Sequence, residues 1–153
     1  MPFVSRVEAR AYSRATEVLD RVKGAVLNLY PPSTRESVKI ETNSTTSHHQ
    51  STIVIVNAVL EKKKLCGQVL EYLLDSLSES DKRTLKKTLR KRLDEKCSLF
   101  LRLDKQAAFL GKIQLADSPD LINIRVQLIQ YPRCIQDDAI TTINKYLDIE
   151  GED

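Results

Sequence analysis

A chain of 153 residues is long enough to bury a core of its own and short enough to form one domain over residues 1–153. With 41% hydrophobic and 29% charged residues it has the composition of a globular protein, and no apolar run approaches the ~20 residues of a membrane span. A net charge of +3 is too small to announce nucleic acid by itself, so the question turns on where the charge sits.

Phe3–Tyr12 reads as a strand, with Val4, Arg6, Glu8 and Arg10 on one face and Phe3, Ser5, Val7, Ala9 and Ala11 on the other. The first face is polar beyond its start, which predicts an antiparallel sheet with one face open to water or a ligand. Thr16 is placed to cap a helix reaching about Leu29, with Val18, Leu19, Val22, Val26 and Leu29 at helical spacing. Tyr30-Pro31-Pro32 stops it, because proline lacks an N–H and disfavours helix before it. Ser37–Thr42 is a second strand, and the polar run Thr42–Thr52 is a hairpin loop. His48 and His49 in that loop lack an Asp, Glu or Cys neighbour to complete a metal site; contact with RNA and plain solvation both stay open. Ile53–Leu60 is β-branched and apolar on both faces, and belongs in the centre of the sheet.

Lys62, Lys63 and Lys64 lead into a helix from Leu65 to Leu77 with a wide apolar stripe. Ser78-Glu79-Ser80-Asp81 supplies an N-cap and negative charge for the next helix, Lys82–Leu93. That helix buries one narrow seam, Leu85, Leu89 and Leu93, so Lys82, Arg83, Lys86, Lys87, Arg90, Lys91 and Arg92 are left for the solvent side. Cys97–Leu103 is a strand with Leu99, Leu101 and Leu103 inward and Phe100 and Arg102 outward. Asp104 caps a short helical turn that Gly111 ends, and Lys105 and Gln106 project from its first residues, where free N–H groups also favour an anion. Lys112–Leu115 is a short strand and Ala116–Asp120 a turn. Leu121–Gln130 alternates cleanly and opens Asn123, Arg125 and Gln127 to solvent. A last helix covers about Ile135–Leu147, followed by the acidic tail Asp148–Asp153. Cys66, Cys97 and Cys134 are odd in number and far apart, which argues against a disulfide framework or a zinc site and for a reducing, cytoplasmic location.

The run Leu101–Ile113, Leu-Arg-Leu-Asp-Lys-Gln-Ala-Ala-Phe-Leu-Gly-Lys-Ile, resembles the signature of an archaeal family of predicted RNA-binding proteins, labelled predicted exosome subunits. Ala15-Thr16-Glu17 with Val22 to Leu29 resembles the family's opening helix, and Ile122–Val126 with Tyr131-Pro132 its closing strand. Ser47-His48-His49-Gln50 stands where the family has a Gly-His-His-Gly type loop, with Ser47 and Gln50 in place of the glycines. The resemblance implies an α+β fold related to the large-subunit ribosomal protein that binds 5S ribosomal RNA. It also implies an accessory place in RNA processing or degradation.

The element order predicts an α+β domain, a mainly antiparallel sheet of about six strands with helices packed on one side. The basic residues predict non-catalytic RNA binding through Lys62, Lys63, Lys64, Lys86, Lys87, Arg90, Lys91, Arg102, Lys105 and Gln106. The sheet aromatics are few (Phe3, Tyr12, Phe100, with Tyr131 at a strand end) and form no paired stacking motif, which favours structured or double-stranded RNA read through shape and phosphates. A protein-interaction subunit of an RNA-processing complex, its basic surface meeting an acidic partner, accounts for the same charge. A metal-dependent nuclease needs converging carboxylates, whereas Asp94, Glu95 and Asp104 read as helix-end and turn residues. There is no phosphate-binding glycine loop, nucleophile elbow or Cys–His pair. No enzyme activity, metal, cofactor or membrane partner is expected, and a homodimer stays open.

Overall fold

The computed structural model describes residues 4–46, 52–130 and 132–147. In chain order the elements are β1 (Val4–Ser13), α1 (Leu19–Leu27), a 3-10 turn (Pro32–Ser37), β2 (Lys39–Thr46), β3 (Thr52–Leu60), α2 (Lys63–Ser76), α3 (Glu79–Arg92), β4 (Ser98–Asp104), α4 (Lys105–Phe109), β5 (Leu121–Leu128) and α5 (Gln136–Leu147). The strands form one antiparallel sheet in the order β2-β3-β1-β5-β4. None of the described helices is long and apolar enough to cross a membrane.

The apolar Ile53–Leu60 run is an interior strand as expected, paired with β2 and β1, and β1 takes the middle position between β3 and β5. The reason is visible in the side chains. Val7, Ala9 and Ala11 of β1 are fully buried, and small residues there let α1 and α2 lie close across the sheet. β3 fills its second face with half-buried Ile53, Ile55 and Val59 instead of a second helix layer. The helices occupy one side of the sheet: α1 and α2 lie on β1, and α5 packs on α2 and α3. Val22, Val26, Leu70, Leu73, Leu74, Leu85, Leu89 and Ile143 make the helical half of the core.

The structure has five strands where about six were expected. Lys112–Leu115 makes only an isolated bridge, Leu103 to Leu115, as it passes along the outer edge of β4. Val4 turns inward and is fully buried, because a register shift between Val4 and Arg6 breaks the alternation. The first helix begins three residues after Thr16, with Val18 at its N-cap and no side-chain cap bond. Beyond that helix Tyr30 is fully buried; its hydroxyl donates to the Ala58 carbonyl at 2.9 Å and ties the helix exit to β3. Burial pushes that phenol far above its ordinary pKa. Ser78 caps α3 by accepting from the Asp81 N–H at 3.1 Å, and Asp104 caps α4 by accepting from the Ala107 N–H at 2.8 Å. Gly111 has φ +80°, the left-handed geometry that makes glycine useful after a helix end.

The cysteines also correct the sequence reading. Cys97 and Cys134 form a disulfide across 37 residues with a Cα–Cα distance of 5.7 Å, leaving Cys66 free and buried. Distance in sequence hid this pairing, because only the folding of α5 back onto α3 brings the two thiols together. The loop containing His48 and His49 and the acidic tail Asp148–Asp153 lie outside the described residues.

Candidate nucleic-acid interface

The sheet face away from the helices is built by alternation. Antiparallel register sets its side chains in rows across the strands. One row runs Arg102, Asn123, Arg10, Asn57 and Glu41; the next runs Phe100, Arg125, Glu8, Val59 and Lys39. Arg10, Arg102 and Asn123 are exposed, as are the rings of Tyr12 and Phe100, at 44% and 43% of their surface. An antiparallel sheet can leave one face to water, and this open face carries two half-exposed aromatic rings.

Hydrogen bonds fix the arginines. The Ser98 hydroxyl donates to Gln127 Oε1 at 2.7 Å and accepts from Arg125 Nε and Nη2 at 3.3 Å. Arg125 is thereby held with its guanidinium carbon 5.9 Å from the centre of the Phe100 ring, a cation–π distance. Arg10 Nε donates to Asn57 Oδ1 at 3.0 Å. Arg6 instead pairs with Glu8 at 3.4 Å and Glu61 at 3.6 Å, which neutralises the end of the face nearest Lys62.

The basic helix meets this face through a tight connection. Asp94 Oδ1 accepts from the N–H groups of Lys96 and Ser98, at 2.9 and 2.8 Å, and Cys97 takes a left-handed φ of 61°. The chain reverses between α3 and β4, with Leu93 bridged to Leu99. The last turn of α3 therefore stands beside the outer row of β4. Between them lies a cleft of about 350 Å³ lined by Thr88, Lys91, Arg92, Phe100, Arg102 and Ala116. Arg92 Nε donates to the Thr88 hydroxyl at 2.8 Å, and that hydroxyl donates in turn to the Thr84 carbonyl, also at 2.8 Å. Burial and the nearby Arg102 charge both lower the pKa of Arg92. Guanidinium stays protonated at neutral pH, so two positive groups share a partly desolvated wall. No carboxylate lines the cleft among the described residues. A second hollow of about 380 Å³ lies over the sheet on the other side of the Phe100 ring, between Tyr12, Arg10 and Arg125.

The ten residues expected from sequence fall in three places. Lys86, Lys87, Arg90 and Lys91 lie on α3, and Lys91 joins Arg102 at the cleft. Arg90 is partly neutralised by Asp137 of α5 at 2.8 Å. Lys62, Lys63 and Lys64 are exposed at the entry to α2 and line neither hollow. Lys105 and Gln106 face elsewhere, and the expectation that Lys105 projects into solvent is corrected. It is 5% exposed, and its ammonium donates to the Tyr12 carbonyl at 3.0 Å and pairs with Glu17 and Asp120 at 2.9 Å each. Gln106 Nε2 donates to the other oxygen of Asp120 at 2.9 Å. These two residues tie α4 to the end of β1, to the connection before α1 and to the residue preceding β5. Burial alone would raise the Asp120 pKa, but the bonds from Gln106 and Lys105 and the charges of Lys105 and Arg14 outweigh it and hold the carboxyl below its usual range. Arg92, Thr88 and Phe100 also line the cleft. Arg92 and Phe100 stood in the sequence as a solvent-side basic residue of the helix and a sheet aromatic but not among the ten expected contacts, and Thr88 was not named. The outward alternation of Phe100 with Arg102 was the available signal.

No group of three or more His, Cys, Asp or Glu residues capable of holding a metal ion occurs among the described residues. The arrangement brings together guanidinium and ammonium groups, exposed aromatic rings and side-chain amides.

The model of a family described as RNA binding matches residues 6–128. The chain is 26% identical over 148 residues to the RNA-binding protein PAB1135 of Pyrococcus abyssi, covering 96% of this chain and 94% of that one. The crystal structure of protein AF2318 from Archaeglobus fulgidus is similar with a TM-score of 0.77 and 25% identity, over 94% of this chain and 99% of the other. Mth689, a DUF54 protein from Methanothermobacter thermautotrophicus, shares the fold with a TM-score of 0.77 and 24% identity, over 95% of this chain and 99% of its own.

Proposed function

The chain belongs to this RNA-binding family, and from that premise we propose that it is a non-catalytic RNA-binding protein whose ligand lies along α3 and over the open sheet face. One observation carries the reading: Lys91, Arg92 and Arg102 line a single cleft without a carboxylate, where the basic helix meets the sheet. Such a wall is relieved of its self-repulsion when a phosphate enters, and each phosphate neutralised releases counterions. The 14 residues of α3 extend about 21 Å, enough to follow several phosphates of a folded strand. That supports structured or double-stranded RNA as the ligand. The resemblance of Leu101–Ile113 to proteins labelled predicted exosome subunits supports an accessory role in RNA processing or degradation, beside other proteins of such a complex.

The test is equilibrium binding of a short RNA duplex, a single strand and a matched DNA duplex, each across a salt series. The expected result is preference for RNA, with log K falling steeply against log[salt]. The variant Lys87→Glu, Lys91→Glu, Arg102→Glu should abolish that binding while keeping the fold. No binding by the wild type even at low salt overturns the reading and leaves a protein-interaction subunit in its place.

A further inference from the structure

We infer that an unpaired RNA nucleotide seats across Phe100, its base against the ring in the hollow between Tyr12 and Arg125 and its phosphate in the cleft against Arg92 and Arg102. This deepens the RNA-binding reading and rests on it. Phe100 is the shared wall of the two hollows. One hollow holds the cationic wall; the other holds an amide and an aromatic ring, Asn123 and Tyr12.

A duplex buries its base faces in the stack and offers phosphates and sugars outward, so an exposed ring gains nothing from paired RNA. An unpaired base offers a face that stacks on any aromatic side chain. The ring is also held ready. Arg125 lies 5.9 Å from its centre and is itself fixed through the Ser98 hydroxyl, so little side-chain ordering is left for binding. Asn123 presents an amide that can donate and accept along a base edge. Thr88 fixes Arg92 on the opposite side, so the phosphate site is preorganised too. The burial and like charge that lower the Arg92 pKa are what a phosphate would offset. Glu8 also lines the base's hollow but is paired with Arg6 at 3.4 Å, Arg6 pairs in turn with Glu61, and Glu41 lies on the far strand β2. The favoured RNA is thus a structured one carrying an unpaired nucleotide beside a helix, the paired part lying along α3.

Two RNA hairpins test this, identical except that one carries a single unpaired 2-aminopurine in its stem. The bulged hairpin should bind about tenfold more tightly, the lower part of the range for one base stacked on an aromatic ring. Its 2-aminopurine fluorescence should fall on binding as the base stacks. Phe100→Ala should remove both the preference and the quenching, weakening the bulged hairpin about tenfold more than the paired one. Phe100→Tyr, which keeps an aromatic face, should retain the preference. Equal binding of the two hairpins, or equal weakening of both by Phe100→Ala, overturns the nucleotide site while RNA binding stands. Failure of both hairpins to bind overturns the RNA reading itself.

Discussion

Replacing Lys105 by Met separates a structural strut from an RNA contact. Methionine keeps the aliphatic length but removes the ammonium, which has a side-chain exposure of 6% and reaches Tyr12, Glu17 and Asp120 within 3.0 Å. Loss of the cation removes the counter-charge that Glu17 and Asp120 share and leaves Asp120 the Gln106 bond and the nearby Arg14 charge. Breaking a fully buried pair costs about 3–5 kcal/mol, but Glu17 and Asp120 are 25% and 33% exposed and water recovers part of that. The expected loss is about 2–3 kcal/mol. For a domain of this length that lowers the melting temperature by roughly 4–12 °C. The Asp120 carboxyl is held below its usual pKa, so its contribution is full above the unfolded value near 3.9 and is lost as pH falls through the folded value. The stability gap between wild type and variant should therefore be full at pH 7 and narrow below about pH 4. Thermal melts by circular dichroism across pH give both numbers, and RNA affinity of the folded variant should stay within about twofold. A melting temperature within about 1 °C of wild type, or a selective loss of RNA affinity, would refute the strut assignment.

Three further changes probe the frame. Tyr30→Phe removes the hydroxyl bonded to Ala58 and should cost about 1 kcal/mol, read as a lower urea midpoint at unchanged slope. Asp104→Ala removes the cap of α4 and should cost about 1 kcal/mol by the same assay, with RNA affinity retained. Reduction, or Cys134→Ser, opens the 37-residue link and should lower stability by about 2–4 kcal/mol; identical melts with and without reductant would contradict the bond.

Alternation and helical spacing made most of the frame legible in the sequence. The single seam Leu85, Leu89, Leu93 is buried as its spacing required, and Asp104 and Ser78 cap the helices they precede. What stayed hidden depends on long-range register. β1 takes the middle position because Ala9 and Ala11 are small enough to receive helices, a property that a hydrophobicity pattern ranks below the bulk of Ile53–Leu60, itself an interior strand. The Val4 shift follows from pairing with β5, not from β1 itself. Lys105 read as an outward cation at a helix start because its partners, Glu17 and Asp120, lie 88 and 15 residues away in the chain. The α3–β4 cleft was half visible: the charge of the helix and the outward Phe100 and Arg102 were evident separately, but only the Asp94 turn sets them face to face.

The most direct measurement is a backbone amide NMR titration of the isotope-labelled protein with a bulged RNA hairpin. Binding on the open face predicts shift changes concentrated in Thr84–Arg92, Ser98–Arg102 and Leu121–Gln127, with the core of α1 and α2 silent. Changes confined to α1 and the α2 entry at Lys62–Lys64, with β4 and β5 unmoved, would contradict it.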